Sequence, residues 1–236
     1  MRAVVLAGGV GSRLAPYTTV LPKPLMPIGD RPILEVVVSQ LRRAGFDDLT
    51  IAVGHLAGLL QAYFGDGSAF GVKVGYSLEE TPLGTAGPLA MIGGLTEPFL
   101  LMNGDLLTTL PYREFFDAHV ASGATLTVAL HERKVKIDLG VIHTDGDGRI
   151  TGYDEKPTHT YRASMGIYAF HPRVLSHVQK GVRLDFPDLV LRLLAAGEVV
   201  RAWPYAGYWM DIGRREDYEQ AQLDFDRLRP QLLPEA

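Results

Sequence analysis

The stretch from Leu6 to Leu34, LAGGVGSRLAPYTTVLPKPLMPIGDRPIL, joins an apolar strand to a helix through a long loop carrying Gly8, Gly9, Gly11, Arg13 and Lys23. Glycines let the backbone approach a ligand closely and turn its N–H groups inward, while a guanidinium and an ammonium add positive charge. That combination is built to hold phosphates. It is not a lysine-bearing phosphate loop of the GxxxxGK[ST] type, because no lysine follows the glycines directly and the loop is too long. Nor is it a dinucleotide fingerprint, since Leu14 stands where that pattern wants its third glycine.

Outward from this loop, short apolar runs alternate with helical patterns, the signature of a mostly parallel sheet covered on both faces. Ala3 to Ala7 reads as the first strand. Pro32 opens a helix with Ile33, Val37, Leu41 and Ala44 on one stripe and Gly45 as its stop. Strands are expected at Leu49 to Val53, Val72 to Ser77 and Phe99 to Met102, and helices at Leu56 to Phe64, Thr85 to Ile92 and Tyr112 to Val120. Ligands of open α/β sheets sit beyond the carboxyl ends of strands. The glycine loop and Asp105 both occupy such ends, so they are expected to face one crevice. Further on the pattern turns strand-rich, with Asp145-Gly146-Asp147-Gly148 as a hairpin turn and Arg133 to Lys136 as a solvated basic loop. Asp185 to Ala195 and Arg215 to Leu228 read as helices. The fold class is α/β, a Rossmann-like mixed sheet flanked by helices with a smaller strand-rich half. Over 236 residues this gives a single domain, divided near Leu106.

Composition sets limits. Hydrophobic residues at 47% and charged ones at 21% exclude a wholly disordered chain. A net charge of −4 argues against a general nucleic-acid binder. With no cysteine, disulfides and cysteine-ligated zinc are excluded. The opening lacks a signal-peptide profile and no apolar run is long enough to span a bilayer, so the expected location is the cytoplasm, with no membrane partner.

The Leu6–Leu34 stretch resembles the signature of the sugar-1-phosphate nucleotidyltransferases, the nucleotide-sugar pyrophosphorylases. The resemblance returns at Asn103-Gly104-Asp105, at Asp154-Glu155-Lys156-Pro157, at Ser164-Met165-Gly166-Ile167-Tyr168 and at Gly207-Tyr208-Trp209-Met210-Asp211-Ile212-Gly213. It implies transfer of a nucleoside monophosphate from an NTP to a sugar-1-phosphate with release of pyrophosphate. The implied catalytic residues are Arg13, Lys23, Asp105, Lys156 and Asp211, with Asp105 and Asp211 holding Mg2+. Nucleotide contacts are implied for Leu6, Ala7, Gly8, Gly9, Gly11, Arg13, Lys23, Glu79, Gly84, Thr85 and Asp105. Sugar-phosphate contacts are implied for Gly140, Glu155, Lys156, Ser164 and Gly166. Pro157 is expected to hold Lys156 extended, and Trp209 to pack in the core.

The run Glu79-Glu80-Thr81-Pro82-Leu83-Gly84-Thr85-Ala86-Gly87-Pro88-Leu89-Ala90 is similar to the base-side loop of mannose-1-phosphate guanylyltransferases, which implies GTP. Mannose-1-phosphate or a related sugar is the matching acceptor, although Ser164-Met165-Gly166 looks more like adenylyl-transferring glucose-1-phosphate enzymes. Thymidylyl, adenylyl, uridylyl or cytidylyl transfer to another sugar-1-phosphate, or a non-catalytic sensor of sugar nucleotides, are the alternatives. The sequence to Ala236 lacks the hexapeptide-repeat β-helix that many relatives carry; a homo-oligomer is compatible with it.

Overall fold

A computed structural model describes residues 1–79 and 81–234. In chain order the elements are β1 (Arg2–Ala7), the short pair β2 (Pro27–Ile28) and β3 (Arg31–Pro32), α1 (Ile33–Arg43), β4 (Asp48–Val53), α2 (Ala57–Phe64), β5 (Lys73–Leu78), β6 (Phe99–Asn103), β7 (Leu106–Thr108) and α3 (Tyr112–Ser122). The second half holds β8 (Leu126–Lys136), β9 (Val141–Thr144), β10 (Ile150–Asp154), β11 (Thr158–Phe170), α4 (Phe186–Ala195), β12 (Val200–Tyr205), β13 (Trp209–Asp211) and α5 (Arg215–Leu232).

Seven strands form the main sheet in the order β12-β8-β11-β6-β1-β4-β5. β1 pairs in parallel with β4 and β6, and β12 in parallel with β8, whereas β11 runs antiparallel between β6 and β8. The alternation of side chains along a strand divides the core between its faces. Ala3, Val5 and Ala7 bury against α1 and α3 through Leu34, Val37, Leu41, Phe115 and Phe116, while Val4 faces Leu89, Phe170, Phe186, Leu189 and Leu193. α1 shows why its sequence is a helix. Apolar residues recur at helical spacing, Glu35 stands in the first turn, and Arg42 and Arg43 stand in the last, matching the helix dipole at both ends. α5 adds a third layer, in which Phe225 and Leu228 cover Leu14, Ile28, Ile33 and Leu107.

β8 and β11 continue beyond the sheet as a two-stranded ribbon, and β9 and β10 form a separate hairpin. Its turn is closed by the Asp145 carboxylate, which accepts from the N–H groups of Asp147 and Arg149 at 3.0 and 2.9 Å. Two expectations need correction. Arg133 to Lys136 is exposed but is strand, because it pairs residue by residue with Thr158 to Tyr161. Thr85 to Ile92 is no α-helix. Only Gly87–Met91 makes a 3-10 turn, because the N–H groups of Ala86 and Gly87 are spent on the Leu184 carbonyl at 2.9 and 3.0 Å.

Candidate active site

The glycine loop leaves the carboxyl end of β1, and Asp105 follows β6, the strand beside it. Gly104 donates its N–H to the Leu6 carbonyl at 2.9 Å, which ties the two strand ends together. Within the loop, the Thr18 hydroxyl donates to the Gly11 carbonyl at 2.8 Å, folding the segment back on itself. Gly9 is exposed, while Gly8 packs beside Gly54 and the Glu79 carboxylate.

Asp211 arrives from the far end of the chain. The antiparallel pair β7–β13 sets it opposite Leu106, and the Ile212 N–H donates to the Asp105 carbonyl at 3.3 Å, so the two aspartates become neighbours. Between them stands Lys23. Its ammonium donates to Asp105 Oδ2 and lies 4.0 Å from Asp211 Oδ1, with its side chain only 9% exposed. A buried ammonium with two carboxylates is far from a surface ion pair, because low-dielectric surroundings make the loss of either partner costly. The exposed Arg13 lies over Gly213, two residues past Asp211.

Burial, and then the neighbouring Asp105 carboxylate, hold the Asp211 carboxyl above its ordinary value, against the opposing pull of Lys23 and Arg13. Asp105 Oδ1 is buried and has no hydrogen-bond partner among the described residues. An orphaned carboxylate oxygen beside a second carboxylate suits magnesium, which takes few carboxylates and completes its shell with water and phosphate oxygens. Among the described residues no three or more His, Asp or Glu side chains converge, so a dedicated all-protein cage is not the arrangement here.

On the sugar side, the structure keeps Glu155 and Lys156 exposed, after β10. Their own ion pair spans 3.9 Å, and Tyr153 donates to Glu155 Oε2 at 3.3 Å. Lys156 is not extended: its φ is +46°, in the three-residue connection between β10 and β11, where the Pro157 carbonyl accepts from the Ile137 N–H. Gly140 is exposed and faces the Tyr153 hydroxyl. Ser164 and Gly166 sit where the β11 register shifts. The Ser164 hydroxyl donates to the Tyr168 hydroxyl at 3.1 Å, and buried Gly166, with φ +72°, lets the Asn103 amide pass against it.

Sequence reasoning missed this Asn103 contact and the attachment of the base-side loop. Gly84 and Thr85 pack on residues 184–186, where the Thr85 N–H donates to Asp185 Oδ1 and its hydroxyl accepts from the Phe186 N–H. Glu79 binds its own loop by accepting from the Leu83 N–H at 3.0 Å. Glu80 lies outside the described residues. Trp209 is partly buried, donates to the Met165 carbonyl at 3.0 Å and carries Arg133 over its ring, so it braces β13 from the side.

Residues 2–227 match the family described as Nucleotidyl transferase. A UTP–glucose-1-phosphate uridylyltransferase of Synechocystis sp. is 34% identical over 241 residues, covering 94% of this chain and 62% of that protein. A mannose-1-phosphate guanylyltransferase of Mycobacterium tuberculosis is 31% identical over 231 residues, covering 95% of this chain and 64% of that one. The chain thus spans a little under two thirds of these relatives' length. Among solved structures, a Bacillus anthracis protein provisionally assigned as a glucose-1-phosphate thymidylyltransferase, in complex with sucrose, superposes with a TM-score of 0.76 at 26% identity, covering 94% of each chain. HddC from Yersinia pseudotuberculosis complexed with GMP-PN superposes with a TM-score of 0.70 at 25% identity, covering 95% of this chain and 99% of that one. With a family match across almost its whole length, on a fold shared with these structures, the chain belongs to the nucleotidyl transferase family.

Proposed function

We propose that the protein transfers a nucleoside monophosphate from an NTP, with GTP favoured, to a sugar-1-phosphate, with mannose-1-phosphate or a close relative as acceptor. An oxygen of the sugar phosphate attacks the α-phosphorus, the bond from that phosphorus to the bridging oxygen breaks, and pyrophosphate leaves with the bond electrons. The observation that carries the reading is Lys23, buried against Asp105 and close to Asp211 at the mouth of a glycine loop. The likeness of the 79–90 loop to guanylyltransferases and the Mycobacterium tuberculosis relative support guanine. The Synechocystis relative supports uracil as the competing base, and glucose-1-phosphate as the competing acceptor.

Both substrates are anionic, so positioning and charge neutralisation carry most of the catalysis. Arg13 grips the leaving phosphates through its planar fork, and Lys23 places a point charge nearer the reacting phosphorus. Lys156, in the connection from β10 to β11, holds the sugar phosphate, while Glu155 accepts from sugar hydroxyls. Asp105 and Asp211 hold magnesium, whose contribution when bound is to neutralise phosphate oxygens. A cytoplasmic location accords with the reading; none of the described helices is long and apolar enough to cross a membrane.

The test is a matrix of five nucleoside triphosphates against mannose-, glucose- and other sugar-1-phosphates, read as magnesium-dependent pyrophosphate release. GTP with mannose-1-phosphate is expected to give the highest kcat/KM. A higher value for UTP or dTTP with glucose-1-phosphate replaces the substrate reading, and no release from any pair overturns the activity.

A further inference from the structure

The base-side loop and the sugar-side strand meet at one helix end. The Leu184 N–H donates to the Leu83 carbonyl at 2.9 Å, and the Leu184 carbonyl accepts from Ala86 and Gly87. The Thr85 N–H donates to Asp185 Oδ1 at 3.2 Å, and the Thr85 hydroxyl accepts from the Phe186 N–H at 2.7 Å. Phe186 is the first residue of α4, and its N–H belongs to the group of amides that a helix leaves without an internal partner. The oxygen that satisfies it comes from 101 residues away in sequence. Gly84 makes the approach possible: its φ is +80°, and a Cβ there would stand 2.6 Å from both the Leu184 carbonyl and Asp185 Oδ1.

From Phe186 the contacts continue to β11. Its ring stacks on Tyr168 with centroids 3.6 Å apart and planes 22° apart. The Tyr168 hydroxyl in turn accepts from Ser164 Oγ at 3.1 Å. In the other direction, Leu83 donates to Glu79, and the second Glu79 oxygen lies against Gly8 of the phosphate loop. A series of contacts therefore runs from Glu79, which stands beside Gly8, through Leu83 to Thr85, Phe186 and Tyr168 to Ser164.

We propose that Phe186 and Tyr168, anchored by Thr85, are positioning residues that couple the two substrate subsites, so that a nucleotide seated at the base-side loop sets the direction of the Ser164 hydroxyl offered to the sugar. The proposal rests on the nucleotidyl-transfer reading above. Tyr168 is 7% exposed and its ring lies near that of Phe170 as well as stacking on Phe186. Densely packed contacts transmit small displacements rather than absorbing them. Coupling of this kind is reciprocal: whatever the nucleotide does to sugar affinity, the sugar does to nucleotide affinity.

The experiment uses Thr85→Val, which deletes the hydroxyl acceptor, Tyr168→Phe, which deletes the bond to Ser164 and keeps the stack, and the double variant. Each single change is expected to raise KM for the sugar-1-phosphate about 3- to 10-fold, and the double variant no more than the larger single effect. An unchanged sugar KM in Thr85→Val, or single effects that multiply in the double variant, overturns the proposal. Amide hydrogen exchange on the substrate-free protein gives a readout independent of turnover. Thr85→Val and Phe186→Leu should each speed exchange at residues 165–168 as well as at 186–189; acceleration confined to 186–189 breaks the link. In the wild-type protein, the preferred triphosphate alone should slow exchange at 165–168, and no change there counts against the proposal even where a variant fails to fold. If the wild-type protein releases no pyrophosphate with any pair, the activity reading fails, and substrate-free exchange in the variants still decides whether the two sides are joined.

Discussion

The Lys23 ammonium is held on the Asp105 carboxylate, 82 residues further along the chain, at the meeting of two strand ends. Arg13, on the same loop, is exposed. The two cations should therefore fail differently when removed. Arg13→Ala is expected to leave the melting temperature within a degree or two of wild type and to cut turnover on the order of 10²-fold. Lys23→Ala should reduce turnover at least as much and also destabilise the fold. Stripping one partner from a buried ion pair costs about 3–5 kcal/mol, less here because the Asp105 side chain is 25% exposed. Thermal melts beside steady-state kinetics separate the cases; equal melting temperatures would show that the pair contributes nothing to stability.

Asp105→Asn and Asp211→Asn should each abolish magnesium-dependent activity, and their effects should be strongly non-additive if they serve one ion. The pH dependence of Asp211 has a definite sign. With its carboxyl held above its unfolded value, the folded state binds more protons between those two values, so stability falls as pH rises through that window. Asp211→Asn removes this loss. Substrate-free Asp211→Asn should melt above wild type at pH 7, by a small margin because the wild-type side chain is 49% exposed, and the gap should close below the ordinary carboxylate range. A lower melting temperature at pH 7 would mean that attraction to Lys23 and Arg13 outweighs burial.

His119 offers a separate stability signal. Burial lowers its pKa to about 4, and its Nδ1 lies 2.8 Å from the Thr127 hydroxyl. The folded state takes up this proton later than the unfolded one, so the stability it confers is complete above pH 6.5 and is lost as pH falls toward 4. The full loss is roughly 3 kcal/mol at 1.36 kcal/mol per unit. Urea unfolding at pH 7.5 and pH 5 should show this dependence in wild type and lack it in His119→Gln.

Two sugar-side glycines should respond in opposite ways to alanine. At Gly166 a Cβ would meet the Asn103 amide nitrogen at 2.7 Å with the backbone at φ +72°, so Gly166→Ala should cost about 1–2 kcal/mol or more. At Gly140 the obstacle is the Tyr153 hydroxyl at 1.9 Å, but Tyr153 is 59% exposed and its ring can swing aside. Gly140→Ala should keep wild-type stability and act, if at all, on KM for the sugar-1-phosphate. Equal melting temperatures for the two variants would contradict this difference.

Lys156→Ala changes an exposed side chain between β10 and β11 and should leave stability unchanged. Triphosphate affinity by calorimetry should stay near wild type while KM for the sugar-1-phosphate rises. A collapse of triphosphate affinity with normal sugar dependence would move Lys156 to the nucleotide side.

Much of the site was legible because it is local. The glycine loop and Asp105 follow directly on apolar strands, and the rule that ligands gather at strand ends needs only one stretch of chain at a time. Asp211 is different. Its place beside Asp105 comes from the pairing of Leu106 with residue 211, which no periodicity announces, and family likeness alone pointed to it. The Thr85 hydroxyl beneath α4 was illegible for the same reason: the local pattern makes Thr85 the start of a helix, and its partner lies 101 residues away. For Lys156 the local rule pointed the wrong way. A residue before proline prefers extended backbone, but in the short connection between β10 and β11 Lys156 takes φ +46°.

The antiparallel β11, wedged between β6 and β8, has a consequence for how the protein is made. Chains emerge from the ribosome N-terminus first. β6, with Phe99 to Met102 destined to be wholly buried, can pair with β1 as soon as both have emerged, but its other edge waits for residues 167–170. Until then the nascent chain carries an open apolar strand edge, the kind that recruits other chains. Fragments stopping short of Phe170 should therefore aggregate during translation, and full-length protein should need shielding by chaperones over that interval.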